Sequence, residues 1–171
     1  MSKKNRKGYR QRDDLTGEHT FGDAGQAILA IVFALVWLSD TFCLNYTTFL
    51  NDVVPNSIRA PVGILLLILS AYLAITTLSI VFGETRKVPV VIRRGAYQYC
   101  RHPMYFSEII LYLGLIIISI SLAAVLVWIV AIIFLYYLCR YEEKLLLQRF
   151  GEEYSQYMRE VPMWLPLLRK K

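Results

Sequence analysis

The chain has 171 residues, of which 56% are hydrophobic, with a mean hydropathy of +0.44 and a formal net charge of +6. This length suits a single domain, and its apolar residues form long blocks instead of the spaced pattern of a soluble domain. The composition therefore excludes an ordinary soluble protein and indicates a membrane protein. Three cysteines without a CxxC pair and two histidines predict neither a disulfide framework nor a metal centre.

Residues 1–23 form a polar, basic tail, which we predict to be flexible and cytosolic. The next region, residues 24–82, contains two apolar blocks joined by a polar linker. The first block, residues 24–42, has no charge before Asp40, and the second, residues 60–82, has none. About 20 apolar helical residues cross the ~30 Å hydrocarbon layer, so each block predicts one transmembrane helix.

The third region, residues 83–171, begins with a polar connection over residues 83–103. The stretch that follows, residues 104–139, is apolar apart from Glu108. As one helix it would be ~54 Å long, which is too long for a single crossing. We therefore predict a tight helical hairpin that turns near residues 119–121 and continues as a cytosolic helix to Gly151. The predicted fold is an all-α polytopic membrane protein with about four transmembrane helices.

The basic residues predict the orientation of these spans. Six lie in the N-terminal tail, five in the connection over residues 83–103 and seven after Cys139, whereas the linker between the first two spans has only Arg59. Basic residues accumulate on the cytoplasmic side of a membrane. Four spans place the three basic regions on one side, so both termini and the polar connection are predicted to be cytoplasmic.

Two polar segments flank the hairpin, which must bring them together. The first reads VIRRGAYQYCRHPMY (residues 91–105), and the second reads RYEEKLLLQRFGEEYSQYMREVP (residues 140–162). Charged groups at membrane depth are costly and mark functional sites. In the first segment, Arg101 and His102 could bind an anionic group, and backbone N–H groups around Pro103 are expected to be available to a ligand.

The candidate catalytic residues are carboxylates and one arginine. Glu142 and Arg149 are seven residues apart and lie on nearly the same helix face, with Glu143 about 100° away beside Arg140. The adjacent carboxylates would favour a cationic ligand such as an ammonium or a sulfonium. Glu108 is a further candidate, with a snorkelling or paired structural carboxylate as the alternative.

These segments, read with the hairpin between them, resemble the isoprenylcysteine carboxyl methyltransferase group, whose pattern the phospholipid N-methyltransferases share. The resemblance covers about residues 85–166 and combines G-x-Y, R-H-P-x-Y, E-E-x-x-L and F-G-x-x-Y-x-x-Y in this order. It implies S-adenosylmethionine as methyl donor, in a cytosol-facing pocket closed by the C-terminal segment. It also implies a lipophilic or lipidated acceptor that enters from the bilayer.

By motif, the resemblance implies that Arg149 lies near the acceptor. The partners expected are this acceptor and membrane lipids, with no nucleic acid. The residues implied to line the donor pocket are Gly95, Tyr97, Arg101, His102, Pro103, Tyr105, Glu142, Glu143, Tyr154 and Tyr157.

The sequence leaves two alternatives for the group that is methylated, a carboxylate and an amine. A carboxylate is already ionised and could be held by Arg149, as an isoprenylcysteine carboxyl O-methyltransferase would require. An amine, as in phosphatidylethanolamine, must lose a proton, which Glu108, Glu142 or Glu143 could accept. The run YFSEIILYLG (residues 105–114) also resembles membrane steroid reductases, which use NADPH, and a non-catalytic membrane binding protein is a third possibility.

Overall fold

The computed structural model describes residues 20–82 and 90–165, and every regular element within those ranges is helical. Most of the predicted N-terminal tail and residues 83–89 of the polar connection lie outside the described residues. The five α-helices are α1 (Thr20–Leu38), α2 (Asn56–Phe82), α3 (Pro103–Ser119), α4 (Leu122–Phe150) and α5 (Glu152–Glu160).

Three of the described helical stretches are long and apolar enough to cross a membrane: Ala24–Leu44, Asn56–Val81 and Leu122–Phe150. The first includes a π-helical turn, Ser39–Leu44, that extends α1. Helix α3 has 17 residues and is about 26 Å long, slightly short of the hydrocarbon layer, as predicted for the first arm of the hairpin. The all-α polytopic fold is confirmed, whereas the cytoplasmic orientation stays a prediction.

Helices α2 and α3 pack closely because small residues face each other. A Cβ atom added to Gly63 would lie 2.8 Å from the carbonyl oxygen of Gly114. Seven residues further along α2, the Ser70 hydroxyl donates to the carbonyl oxygen of Ser107 at 2.7 Å. Thr77, seven residues further still, is fully buried. Small side chains let helix backbones approach in an apolar medium, so this stripe sets the antiparallel register of α2 and α3.

Helix α1 packs along α4, and an aromatic contact and two hydrogen bonds attach it to α3. The rings of Phe33 and Tyr112 stack with centroids 4.2 Å apart, and both side chains are buried. Near the end of α1, Trp37 Nε1 donates to the Ser119 hydroxyl at 2.9 Å and to the Leu115 carbonyl oxygen at 3.1 Å. These contacts attach α1 to α3.

The hairpin turn is held by Asp40, a buried carboxylate. Asp40 accepts hydrogen bonds from the hydroxyls of Ser121 and Thr47, each at 2.5 Å. Ser121 in turn accepts from the backbone N–H of Ala124 at 3.1 Å and caps α4. The negative charge therefore lies at the positive end of the α4 dipole, where it is stabilising.

Arg59 supports the other side of the same turn. Its Nη1 donates to the carbonyl oxygen of Ile118 in the last turn of α3 at 2.6 Å, and its Nε donates to the Val54 carbonyl oxygen at 2.8 Å. A guanidinium at a helix C-terminus pairs with carbonyls that have no partner within the helix. Helix α3 ends at Ser119 and α4 begins at Leu122, which confirms the predicted hairpin.

This hairpin places the start of α3 beside the second half of α4. We call this side of the bundle the loop end, because it carries residues 90–102. Helix α4 continues to Phe150 and ends at Gly151, whose φ of +53° confirms the predicted glycine cap. Helix α5 then packs on α4 through buried Tyr154, Tyr157 and Val161, so the C-terminal segment returns to the loop end.

Candidate active site

The loop before α3 rests on α2 at Gly95. This residue has a φ of +61°, and a Cβ atom there would lie 2.4 Å from Ile80 Cδ1. Only glycine combines that backbone conformation with so close a contact. A 3₁₀ turn, Gly95–Gln98, follows, and Pro103 occupies the first position of α3, where no backbone N–H is needed. Arg101 and His102 are thereby placed directly at the helix start.

Glu143 is the centre of the polar cluster at the loop end, and only 1% of its surface is exposed. Its Oε1 accepts from Arg101 Nε at 2.8 Å and lies 2.7 Å from Arg101 Nη2. His102 Nε2 lies 3.3 Å from the same oxygen, and Arg140 Nη1 lies 3.4 Å from Oε2. Several charge-assisted hydrogen bonds compensate the burial of this carboxylate.

Glu142 faces the other edge of the His102 ring and is half-buried. Its Oε2 lies 3.5 Å from His102 Nδ1, and its Oε1 accepts a hydrogen bond from the Tyr105 hydroxyl. The Tyr105 ring stacks beside the imidazole with centroids 5.8 Å apart. His102, itself buried, therefore lies between two adjacent carboxylates, and the predicted association of the RHPMY segment with the EE pair is present in the structure.

The surroundings of His102 favour its charged form. Burial by itself lowers the pKa of His102, but hydrogen bonds to Cys139, Glu142 and Glu143 more than offset this and raise the pKa well above 6.5. Cys139 is fully buried and was not among the predicted site residues. Its position four residues before Glu143, on the same face of α4, was the signal for it in the sequence.

We expect the free energy of unfolding of the ligand-free protein to fall as the pH rises from 6.5 toward 9.0. A histidine with a raised pKa stabilises the fold fully below its unfolded pKa, and that contribution is lost as the pH rises through the folded pKa. One proton gives a slope of at most ~1.4 kcal/mol per pH unit. The range ends at 9.0 because burial raises the pKa of Cys100 from 9.0 to about 11, which adds a second pH dependence.

Denaturant unfolding in detergent micelles measures this slope. His102→Gln retains hydrogen-bonding groups but does not titrate, so its curve should be flatter over the same range. A slope as steep in His102→Gln as in the unsubstituted protein would contradict the assignment to His102.

The C-terminal segment after α5 is tied to the loop by backbone hydrogen bonds. The N–H of Arg101 donates to the Pro162 carbonyl oxygen at 2.9 Å, and the N–H of His102 donates to that of Met163 at 3.1 Å. Arg101 Nη1 adds bonds to the carbonyl oxygens of Met158 (2.8 Å) and Val161 (2.6 Å). The expectation that these backbone N–H groups are available to a ligand is therefore wrong, because the chain itself supplies their acceptors.

Two predicted tyrosines of α5 contribute through packing. Tyr154 and Tyr157 are each 3% exposed, and burial raises the pKa of both hydroxyls. The Tyr157 hydroxyl donates to the carbonyl oxygen of Tyr97 at 2.6 Å. Arg93 lies over the Tyr157 ring, 5.3 Å from its centroid, and donates to the Glu153 carbonyl oxygen at 2.6 Å. These residues hold α5 against the loop.

Glu108 and Arg149 lie away from the centre of the cluster. Glu108 is about one helical turn beyond Tyr105 and accepts a hydrogen bond from the Tyr112 hydroxyl at 2.6 Å, which matches the paired structural carboxylate. Arg149 is exposed in the last turn of α4, with its guanidinium 5.7 Å from the centroid of the Phe150 ring. It is six residues beyond Glu143, about 9 Å along the helix axis.

The cluster has the charge composition that S-adenosylmethionine requires. That molecule carries an ammonium, a sulfonium and a carboxylate, and the cluster places Glu142 and Glu143 beside His102 and Arg140. Arg140 suits the carboxylate better than Arg101, because the Arg140 side chain is 50% exposed whereas that of Arg101 is 9% exposed and bonded within the protein. The charges present therefore fit this donor, with Arg140 the more accessible cation, while the assignment of Arg101 to the donor pocket stays a prediction.

Comparison with known proteins gives a family match over this region. A family model described as phospholipid methyltransferase matches residues 58–153. The methanethiol S-methyltransferase of Crocosphaera subtropica (strain ATCC 51142 / BH68) is 27% identical over 151 residues, which are 86% of this chain and 49% of that protein. The chain thus spans about half the length of this curated relative. No solved structure matches the chain.

Proposed function

This chain belongs to the phospholipid methyltransferase family, and we propose that it transfers a methyl group from S-adenosylmethionine to a lipophilic acceptor at the membrane. The observation that carries the proposal is the position of His102, buried between Glu142 and Glu143 at the loop end of an apolar bundle. A water-poor site with both signs of charge suits a ligand that is itself of mixed charge.

Each residue of the cluster has a distinct part in this proposal. Glu142 is half-buried and would hold the ammonium or face the sulfonium of the donor, while Arg140 would bind its carboxylate. Glu143 holds His102 and Arg101 in place, and Arg101 keeps the C-terminal segment closed over them. When bound, the donor supplies an electrophilic methyl group on sulfur, so the contribution of the protein is alignment and exclusion of water.

The acceptor group decides whether the site must also move a proton. A thiol or an amine loses a proton on methylation, and the half-buried Glu142 is placed to accept it. A carboxylate needs no base but needs a cation, and Arg149, assigned to it by resemblance, lies exposed beyond the cluster. The geometry therefore favours an acceptor that loses a proton. The relative is named for a thiol acceptor and the family for a phospholipid, while the isoprenylcysteine carboxylate stays a prediction.

We expect S-adenosylhomocysteine, the demethylated donor, to stabilise the detergent-solubilised protein against unfolding. A ligand at 100 times its Kd adds about 2.7 kcal/mol to the free energy of unfolding. The measurement is a thermal-shift titration, with NADPH as the matched test of the reductase alternative. Stabilisation by NADPH alone would support a reductase, and no response to either at millimolar concentration would overturn the proposal.

A transfer assay with methyl-labelled donor assigns the acceptor class. Label in base-labile esters would indicate a carboxylate, label in phospholipid an amine headgroup, and label in an added long-chain thiol a sulfur acceptor. Glu142→Gln should reduce transfer to an amine or a thiol, whose proton must be removed, more than transfer to a carboxylate.

A further inference from the structure

Trp164, in the C-terminal segment, has a buried hydrogen-bond donor without a partner. Its side chain is only partly buried, but Nε1 is inaccessible to solvent and has no acceptor among the described residues. The indole packs edge-on against Tyr136 of α4, with ring centroids 6.3 Å apart. Buried polar groups in folded proteins nearly always have a hydrogen-bond partner, so an unpaired indole N–H requires an explanation.

The position of Trp164 connects it to the candidate active site. The preceding residue, Met163, accepts the backbone hydrogen bond of His102. On α4, Tyr136 lies three and four residues before Cys139 and Arg140 and seven before Glu143, so these side chains share one helix face. Tyr136 is 45% exposed and belongs to the apolar part of α4. The indole therefore lies between the polar cluster and the surface of α4 that a bilayer would cover.

The buried Thr77 hydroxyl provides a comparison for the position of the Trp164 N–H in the fold. The Thr77 hydroxyl has no partner among the described residues either, but Thr77 is fully buried in the stripe between α2 and α3. The indole N–H, by contrast, belongs to a partly exposed side chain that directly follows Met163, the acceptor of the His102 backbone hydrogen bond.

We propose that Trp164 is a specificity-determining residue whose Nε1–H, covered by protein atoms in this structure, becomes accessible when the methyl acceptor binds and donates to an oxygen atom of that acceptor. This inference rests on the proposed function and narrows its substrate class. An indole N–H can only donate, and carboxylate, phosphate and carbonyl oxygens are strong acceptors, whereas a thiol sulfur is a weak one. The methyl acceptor is therefore a lipid that carries an oxygen atom near the group that is methylated, rather than a bare alkanethiol. Lipids with a phosphate and lipids with a carboxylate both offer such an oxygen, and the comparison of methylation probes below distinguishes the two.

The test uses Trp164→Phe, which keeps an aromatic ring and removes the N–H. Three probes are compared in micelles: phosphatidylethanolamine, S-farnesylcysteine and dodecanethiol. We expect the variant to bind S-adenosylhomocysteine like the unsubstituted protein. Its KM should rise about tenfold for whichever oxygen-bearing probe is methylated, with no change for dodecanethiol. Thr77→Val, the matched removal of an unpaired buried group, should leave every KM unchanged.

A readout independent of turnover is the ¹⁵N-indole resonance of Trp164, identified by its loss in Trp164→Phe. We expect it to shift on addition of the oxygen-bearing probe but not of dodecanethiol. An unchanged resonance together with an unchanged KM for every probe would overturn the role of Trp164 while leaving the methyltransferase proposal intact. If the unsubstituted protein binds no donor, both proposals fail.

Discussion

Replacing Glu143 by Gln should lower the free energy of unfolding by about 3–5 kcal/mol and abolish donor binding. The Glu143 side chain is 2% exposed and Arg101 is 9% exposed, so the substitution leaves the guanidinium as a buried charge without a counter-ion. His102 also loses one of its two carboxylate partners. Because Arg101 holds the carbonyl oxygens of Met158 and Val161, the loss should extend to the C-terminal segment.

Glu152→Gln is the matched control for this substitution. The Glu152 side chain is 81% exposed and pairs with Arg159, which is also exposed, so the same chemical change there should have little effect. Denaturant unfolding and S-adenosylhomocysteine titration in micelles measure both variants. Equal stability of Glu143→Gln and Glu152→Gln would show that Glu143 does not organise the loop end.

Replacing Gly63 by Ala should destabilise the protein by about 1–3 kcal/mol, although alanine is the better helix former. The added Cβ atom would lie 2.4 Å from Ile118 Cγ1 and 2.8 Å from the backbone oxygen of Gly114. A side chain can rotate away from such a contact, but a backbone oxygen within a packed helix cannot move without shifting α3. Because His102 precedes the first turn of α3, transfer activity should fall as well.

Gly22→Ala provides the comparison, since its Cβ atom would meet only the Leu138 side chain, at 2.9 Å from Cδ1. A leucine side chain can change rotamer, so this variant should be close to the unsubstituted protein in stability. Both variants are measured by denaturant unfolding in the same detergent. Gly63→Ala with undiminished stability would mean that α2 and α3 are not held at the distance described here.

Several features of the candidate site could be predicted because they depend on local properties of the chain. The order of charged residues along the sequence located the two polar segments, and the excessive length of residues 104–139 required a turn between them. A turn there brings the RHPMY segment and the EE pair to the same end of the bundle. The resemblance to a methyltransferase group drew on the same two segments.

The hydrogen-bond partners of the individual polar side chains could not be predicted in the same way. Arg101 was expected to bind an anion, yet its donors are bonded to Glu143 and to the C-terminal segment. Glu108 was a candidate base with a paired structural carboxylate as the alternative, and the sequence did not show that it accepts a hydrogen bond from Tyr112. Hydrogen-bond partners across helices depend on the register between helices, and hydropathy carries no information about register.

The sequence by itself therefore determined the membrane class, the hairpin, the end of α4 at Gly151 and the meeting of the RHPMY segment with the EE pair. Hydropathy, charge and glycine conformation act within single segments, and each is visible without knowledge of the partner helix. Only the tertiary structure decided that Gly63 and Ser70 set the spacing of α2 and α3, and that Trp164 Nε1 has no acceptor among the described residues. Those properties arise from distances between segments far apart in the chain, which the order of residues does not specify.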